Sequence, residues 1–310
     1  MSTLPTFTFE STADEVATAL ADNIKGKNVL ITGTSLNGIG FEAARVIANL
    51  KLSEAAIKQE NPSANIRRLT LDLSSLAAVR KAAAEVNTYP EPHIDVLIHN
   101  AAAAVGPFKL TTDGFEGQMA TSFIGPFLLT KLIAPKLLAA ATKATPRVVY
   151  LSSMAHAFRP GVTLELLKKP DAGAYNAVTA YAEAKAAAIL TAAEISRRSK
   201  GKILGFSLHP GVIHTNINQA PDAIPVMQSV GILTPEGKPN TKDFNWKTIE
   251  QGAATTIAAA FDPRIENTPG AYLDDSNVAT DKVVAHSLDP AAASALWTAT
   301  EELVGEKFEF

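Results

Sequence analysis

Apolar positions along the chain fall into two kinds of run. Short aliphatic blocks lie at 27–32, 66–73, 94–100, 147–153 and 202–208, with a late one at 271–273. Longer stretches with helical spacing separate them at 75–86, 115–140 and 178–199, and another starts at Phe41. Strand-like blocks alternating with helical ones predict an α/β fold, a doubly wound parallel sheet with helices on both faces. Residues 1–26 stand before this alternation as a helical extension. In it Thr12-Ala13-Asp14-Glu15 suits a capping box, and Val16, Ala19, Leu20 and Ile24 make one apolar stripe that Gly26 ends. Residues 27–310 then read as a single domain. Inside it, 212–246 is rich in Pro, Gly and Asn and is the longest stretch without a regular period. Such a segment within a compact domain is expected to be a lid.

Composition narrows the class. At 310 residues, 46% of them hydrophobic, the chain can bury a large core. A net charge of −3 gives no general attraction for nucleic acid or anionic membranes. Cysteine is absent, which removes disulfides, thiol catalysis and Cys-ligated zinc and fits a reducing compartment. The N-terminus shows no basic stretch followed by an apolar one, so no signal peptide is expected. The 123–135 run is interrupted by Lys131 and is short for a bilayer span. A cytoplasmic protein with neither a membrane span nor a nucleic-acid partner is the expectation. The six histidines show no metal-ligand spacing, and no metal site is expected.

The first strand block runs directly into Thr32-Gly33-Thr34-Ser35-Leu36-Asn37-Gly38-Ile39-Gly40. In a strand–turn–helix unit, glycines permit positive φ, let a pyrophosphate approach the backbone and let the helix pack against the strand. The helix N-terminus offers unpaired N–H groups to the phosphates. Gly33 and Gly38 also have the spacing of a nucleoside-triphosphate loop, but that loop continues Lys-Ser/Thr and here Ile39-Gly40 follow. The turn from Gly33 through Ser35, Asn37, Gly38, Ile39 and Gly40 is therefore a candidate dinucleotide cradle.

Tyr181 and Lys185 stand four residues apart in the 178–199 stretch, on one face of a helix. A neighbouring cation favours phenolate and is expected to lower the tyrosine pKa. The phenol then exchanges a proton with a substrate oxygen near neutral pH. Ser152-Ser153 ends the preceding strand block. No Gly-x-Ser-x-Gly elbow is present, which speaks against a serine hydrolase.

These motifs, in this order, resemble the short-chain dehydrogenase/reductase family from residue 27 to about residue 308. The family's Thr-Gly-x-x-x-Gly-x-Gly is similar to Thr32-Gly33…Gly38-Ile39-Gly40, here with one extra loop residue. Its Asp-Leu adenine contact resembles Asp72-Leu73, and its Asn-Asn-Ala-Gly segment resembles His99-Asn100-Ala101-Ala102. The Pro-Gly turn after a later strand matches Pro210-Gly211, with Thr215 where the family touches the carboxamide. The Ser-Ser-x-Ala-His run and the long serine-to-tyrosine interval resemble the retinol-dehydrogenase and WW-domain-oxidoreductase branch, which is common in fungi. The resemblance implies that Tyr181 is the general acid in reduction and the base in oxidation. Lys185 would depress its pKa and hold the nicotinamide ribose, and Ser153 would hydrogen-bond the substrate oxygen. Asp72, Leu73, Asn100, Ala101, Ala102, Pro210, Gly211 and Thr215 would join the glycine turn in holding NADP(H), favoured over NAD(H).

Two departures from the family carry information. Ser122 stands where the family has an asparagine that holds a water linking the lysine to solvent, so a weakened proton relay is expected. Secondly, Gly40 to Asp72 is 72 − 40 = 32 residues, whereas the family needs roughly 50 for helix, strand, helix and third strand around this fold's ribose-binding residue. The interval predicts near-continuous helix over 41–60, loss of the second strand, and residues 66–73 paired beside the first strand; the alternative is a short strand within 46–52. The expected function is oxidation or reduction of a small apolar alcohol or carbonyl, with homodimerisation left open. The alternative is a catalytically weak family member that acts as a binding protein.

Overall fold

The structure, a computed structural model, describes residues 4–48 and 66–310. Its centre is a six-stranded sheet in the order β1-β2-β3-β4-β7-β8. The strands are β1 (Val29–Ile31), β2 (Val96–His99), β3 (Arg147–Leu151), β4 (Leu204–His209), β7 (Tyr272–Asp274) and β8 (Asn277–Val278). All adjacent pairs are parallel except β7 with β8. A separate two-stranded parallel sheet joins β5 (Val212–Ile213) to β6 (Trp246–Lys247).

Strands buried on both faces send alternate side chains into two cores. On β3, Val148 and Tyr150 enter one core while Val149 and Leu151 enter the other; on β2, Leu97 opposes Val96 and Ile98. The first core is covered by the helices Leu76–Thr88, Gly125–Ala140, Ala177–Arg198 and Pro290–Val304, and the second by Ala13–Ala19, Ile39–Ile47 and Ile249–Phe261. The Thr12–Glu15 capping box forms. Phe7, Ala13, Val16 and Leu20 are buried in the second core, which builds the N-terminal segment into that layer.

One edge differs from the sequence expectation. Among the described residues β1 pairs only with β2, and residues 66–72 belong to no strand. The expected 66–73 strand is corrected to an irregular segment. Its alternation is real, because Leu73 is buried and Leu69 and Leu71 pack against the same core. Alternation reports which side chains face inward, and here that burial occurs without a backbone ladder. Helix Ile39–Ile47 ends at Ala48; the rest of the expected 41–60 helix, and any second strand after residue 48, lie outside the described residues.

The helical stretch read at 115–140 forms close to those bounds. A short helix at Gly117–Met119, a π-helical turn at Ala120–Ile124 and the helix Gly125–Ala140 form one rod of 24 residues. By length and composition alone it could cross a membrane, but 67% of its most apolar window is buried in the fold. Phe123, Phe127, Leu128, Ile133 and Leu137 fill the first core, and the ring of Trp297 meets Phe127 edge-on at 4.8 Å.

Candidate active site

The catalytic candidates meet at the C-terminal ends of the parallel strands. Helix Ala177–Arg198 starts where the Asn176 carboxamide accepts from Thr179 N at 3.0 Å. Two bonds then pin it to the end of β3. Ser152 Oγ donates to Lys185 O at 2.7 Å, and Lys185 Nζ donates to Leu151 O at 2.9 Å. Lys185 is buried and Tyr181 half-buried, with Nζ 5.3 Å from the phenol ring centroid. Ser153 lies two residues past the end of β3, and its Oγ accepts from Ala155 N at 3.2 Å.

Electrostatics here run against the sequence expectation. Burial raises the Tyr181 pKa above the usual tyrosine range, and the Ser153 hydroxyl beside it draws it partly back. Burial pulls Lys185 down to about 8. The expected lowering of the phenol pKa is corrected because both groups are desolvated, and the ammonium makes its hydrogen bond with a strand carbonyl.

The glycine turn is assembled by Asn100. Its Nδ2 donates to Thr32 O at 3.1 Å and Gly33 O at 2.8 Å, while Thr32 Oγ1 accepts from Ala101 N at 3.1 Å. Gly33 has φ +73, and a Cβ there would come within 2.6 Å of Ala101 Cα; one on Gly40 would meet Asn100 Nδ2 at 2.2 Å. Gly33 is therefore fixed by conformation and close approach, and Gly40, inside the helix, by close approach alone. In this longer loop Asn37 adopts a left-handed φ of 59. Ser35 and Asn37 are exposed, and Gly38 precedes helix Ile39–Ile47 without a side-chain cap.

Other candidates are placed less simply. The Asp72 carboxylate accepts from Ser74 N at 2.9 Å and Ser74 Oγ at 2.6 Å, and these bonds hold its pKa below the usual carboxylate value. The Leu73 side chain belongs to the core, so only its backbone can meet a ligand. Thr215 is buried and caps the short helix Asn216–Gln219, donating to Asn218 Oδ1 at 3.2 Å. Ser122 lies in the π-helical turn, buried, with no hydrogen-bond partner for its Oγ.

Residues 212–246 are more regular than their sequence suggests. They contain β5, the helices Asn216–Gln219 and Ala223–Ser229, and β6. Ala223, Met227 and Leu233 bury themselves against Val105, and Tyr181, Ile224, Ile232 and Trp246 pack around that cluster. Asn216 Nδ2 donates to Leu36 O at 2.6 Å, which joins this segment to the glycine turn. Sequence inspection misses that link because the residues lie 180 apart and one partner is only a carbonyl. A separate cavity touches Glu116, Met119, Tyr175 and Glu183. Helical spacing turns Glu183 away from Tyr181 and Lys185, so it is not the reaction site.

Residues 27–164 match the family model for short chain dehydrogenases. The chain is 34% identical to "Short-chain dehydrogenase TIC 32 A, chloroplastic" of Brassica napus, over 95% of this chain and 93% of that protein. It belongs to the short-chain dehydrogenase family. Another member, mouse "Retinol dehydrogenase 14", is 31% identical over 90% of this chain and 86% of its own length. Among solved structures, an uncharacterized protein from Mycobacterium paratuberculosis aligns with TM-score 0.64 and 28% identity, covering 92% of this chain and 96% of that one. An NADPH-bound carbonyl reductase from chicken fatty liver aligns with TM-score 0.54 and 18% identity, over 82% and 98%. This chain is thus an oxidoreductase of the short-chain dehydrogenase type. A dinucleotide fits the family's glycine turn here, because the uncapped first turn after Gly38 keeps N–H groups for phosphate.

Proposed function

We propose that this short-chain dehydrogenase reduces a ketone or aldehyde on a small apolar molecule, or oxidises the matching alcohol, using NADP(H) in preference to NAD(H). The observation that carries the proposal is Tyr181 beside Ser153, above the buried Lys185 and under an apolar cover built by Met227, Ile232 and Leu233. The glycine turn, Asn100, Ala101, Ala102, Pro210, Gly211 and Thr215 would hold the dinucleotide, whose nicotinamide supplies or accepts hydride. Tyr181 gives its phenolic proton to the substrate oxygen in reduction and takes one back in oxidation. Ser153 donates a hydrogen bond to that oxygen as negative charge develops. Lys185 holds the ribose and places positive charge beneath the phenol. Residues 212–246 act as the lid that excludes water, and their apolar inner side supports an apolar substrate.

Cofactor titration of the purified protein tests this directly. The short Gly40–Asp72 interval argues for loss of the family's ribose anchor, and Asp72 spends its carboxylate on Ser74. Losing such an anchor removes about 1.5–3 kcal/mol for each charge-assisted hydrogen bond, or about one to two decades of affinity. The expected outcome is micromolar or weaker binding with NADPH preferred less than about tenfold. Submicromolar binding with about a hundredfold choice between NADPH and NADH would remove this account of the ribose site. The second reading, a weak enzyme retained for binding, is favoured by the short Gly40–Asp72 interval. Saturable cofactor binding with turnover of no carbonyl or alcohol in a broad apolar panel would select it.

Ser122 belongs to the proposed proton relay through Lys185. Its buried hydroxyl has no partner, and an asparagine amide reaches farther into the same space. Ser122→Asn is expected to raise turnover. A rate that is unchanged or lower across about pH 6–9, the range in which a proton relay is read, shows that Ser122 does not limit it.

A further inference from the structure

Lys247 is the second lysine buried near the strand ends, and no role above uses it. It sits on β6 opposite Ile213 of β5, with its side chain 1% exposed. Its Nζ donates to Asp275 Oδ1 at 2.6 Å and lies 4.7 Å from the centroid of the Phe9 ring. The methylene stem runs against the Pro210–Gly211 turn so closely that a Cβ on Gly211, at φ +103, would come within 2.7 Å of Lys247 Cδ.

A buried ammonium is costly unless it is paired and held, and the holding groups are themselves constrained. Asp275 and Ser276 are the two loop residues of the β7–β8 hairpin, at φ 49 and 64, the pair of left-handed residues that a tight two-residue hairpin turn uses. Ser276 N donates to Thr255 Oγ1 at 3.1 Å, and Asn277 Nδ2 donates to Asp275 O at 2.6 Å and to Phe7 O at 2.9 Å. The N-terminal segment is thereby tied to the hairpin that presents Asp275, and it lays Phe9 against the ammonium. A looser lysine would satisfy packing alone; this one is fixed at the charged end and in contact with the turn along its stem.

We propose that Lys247 is a positioning residue for the nicotinamide half of the cofactor. Its stem sets the Pro210–Gly211 turn, and Asp275 and Phe9 fix the ammonium that anchors the stem. The inference rests on the oxidoreductase reading, in which that turn meets the nicotinamide end. Residues 4–12, distant in sequence from every cofactor contact, then reach the cofactor through Phe9.

The test compares NADP⁺ with 2′,5′-adenosine diphosphate, which lacks the nicotinamide half, by calorimetric titration of the full-length chain. Lys247→Met is expected to weaken NADP⁺ about tenfold while changing the adenosine fragment less than about twofold. Lys247→Arg, which keeps the cation, recovers most of the loss. Phe9→Leu keeps the ion pair and shifts NADP⁺ the same way by a smaller factor. Equal weakening of both ligands in Lys247→Met, or no change in either, overturns the inference. If that variant does not fold, an unchanged ratio of the two affinities in Phe9→Leu overturns it. Wild-type protein that binds neither ligand overturns the oxidoreductase reading, and the inference with it.

Discussion

Tyr181→Phe is expected to lower carbonyl reduction by at least about a hundredfold, the low end of what a positioned proton donor contributes. The phenol ring packs among Val105, Met227 and Leu233, and phenylalanine keeps that packing. Melting temperature and cofactor affinity should stay close to wild type, so the loss falls on kcat. Burial keeps the phenol protonated through neutral pH, the form that reduction needs from a donor. Initial rates with any accepted carbonyl substrate decide the matter. A variant that retains more than about a tenth of the rate, a barrier change below about 1.4 kcal/mol, is incompatible with Tyr181 as the donor.

Lys185 carries the second large effect, a conflict between activity and stability. Burial lowers its pKa from 10.5 to about 8, a shift equivalent to about 3 kcal/mol against the charged form. Lys185→Met removes that burden and loses the hydrogen bond to Leu151 O, worth about 1 kcal/mol. The variant should be inactive yet more stable by about 1–2 kcal/mol at neutral pH, as catalytic groups often are when neutralised. The sign with pH follows from proton counts. Between about 8 and 10.5 the unfolded lysine binds more protons than the folded one, so this group's contribution to wild-type stability rises with pH. The advantage of the variant is thus largest below about 8 and closes toward 10.5. Denaturant unfolding at several pH values checks it; a variant less stable than wild type at neutral pH, or a gap that ignores pH, contradicts the buried-charge account.

Much of this was legible in the sequence because it depends on local rules. The short apolar blocks placed most strands within a few positions, and the Thr12–Glu15 cap formed as its spacing implies. Tyr181 and Lys185 share a helix face for the same reason. The failures were non-local. Alternation at Leu69, Leu71 and Leu73 gave burial without a strand, since the pattern cannot say whether a backbone partner exists. The phenol pKa departs from the sequence expectation because spacing supplies a cation's direction but not the desolvation of both groups. Lys247 was invisible because its partners, Asp275, Phe9 and Gly211, are brought together only by the fold.

The bonds that assemble the site also determine where the chain can drift. Asn100 holds the carbonyls of Thr32 and Gly33, Lys185 that of Leu151, Ser152 that of Lys185, and Asn216 that of Leu36. In each case one end is a specific side chain and the other is main chain that any residue provides. Substitutions at positions 36 and 151 therefore leave these links intact so long as the backbone path is kept. Substitutions at 100, 152, 185 or 216 break a link outright. Neutral variation should accumulate unevenly across each pair, and an exchange at the donor end has no partner residue available to co-vary and rescue it.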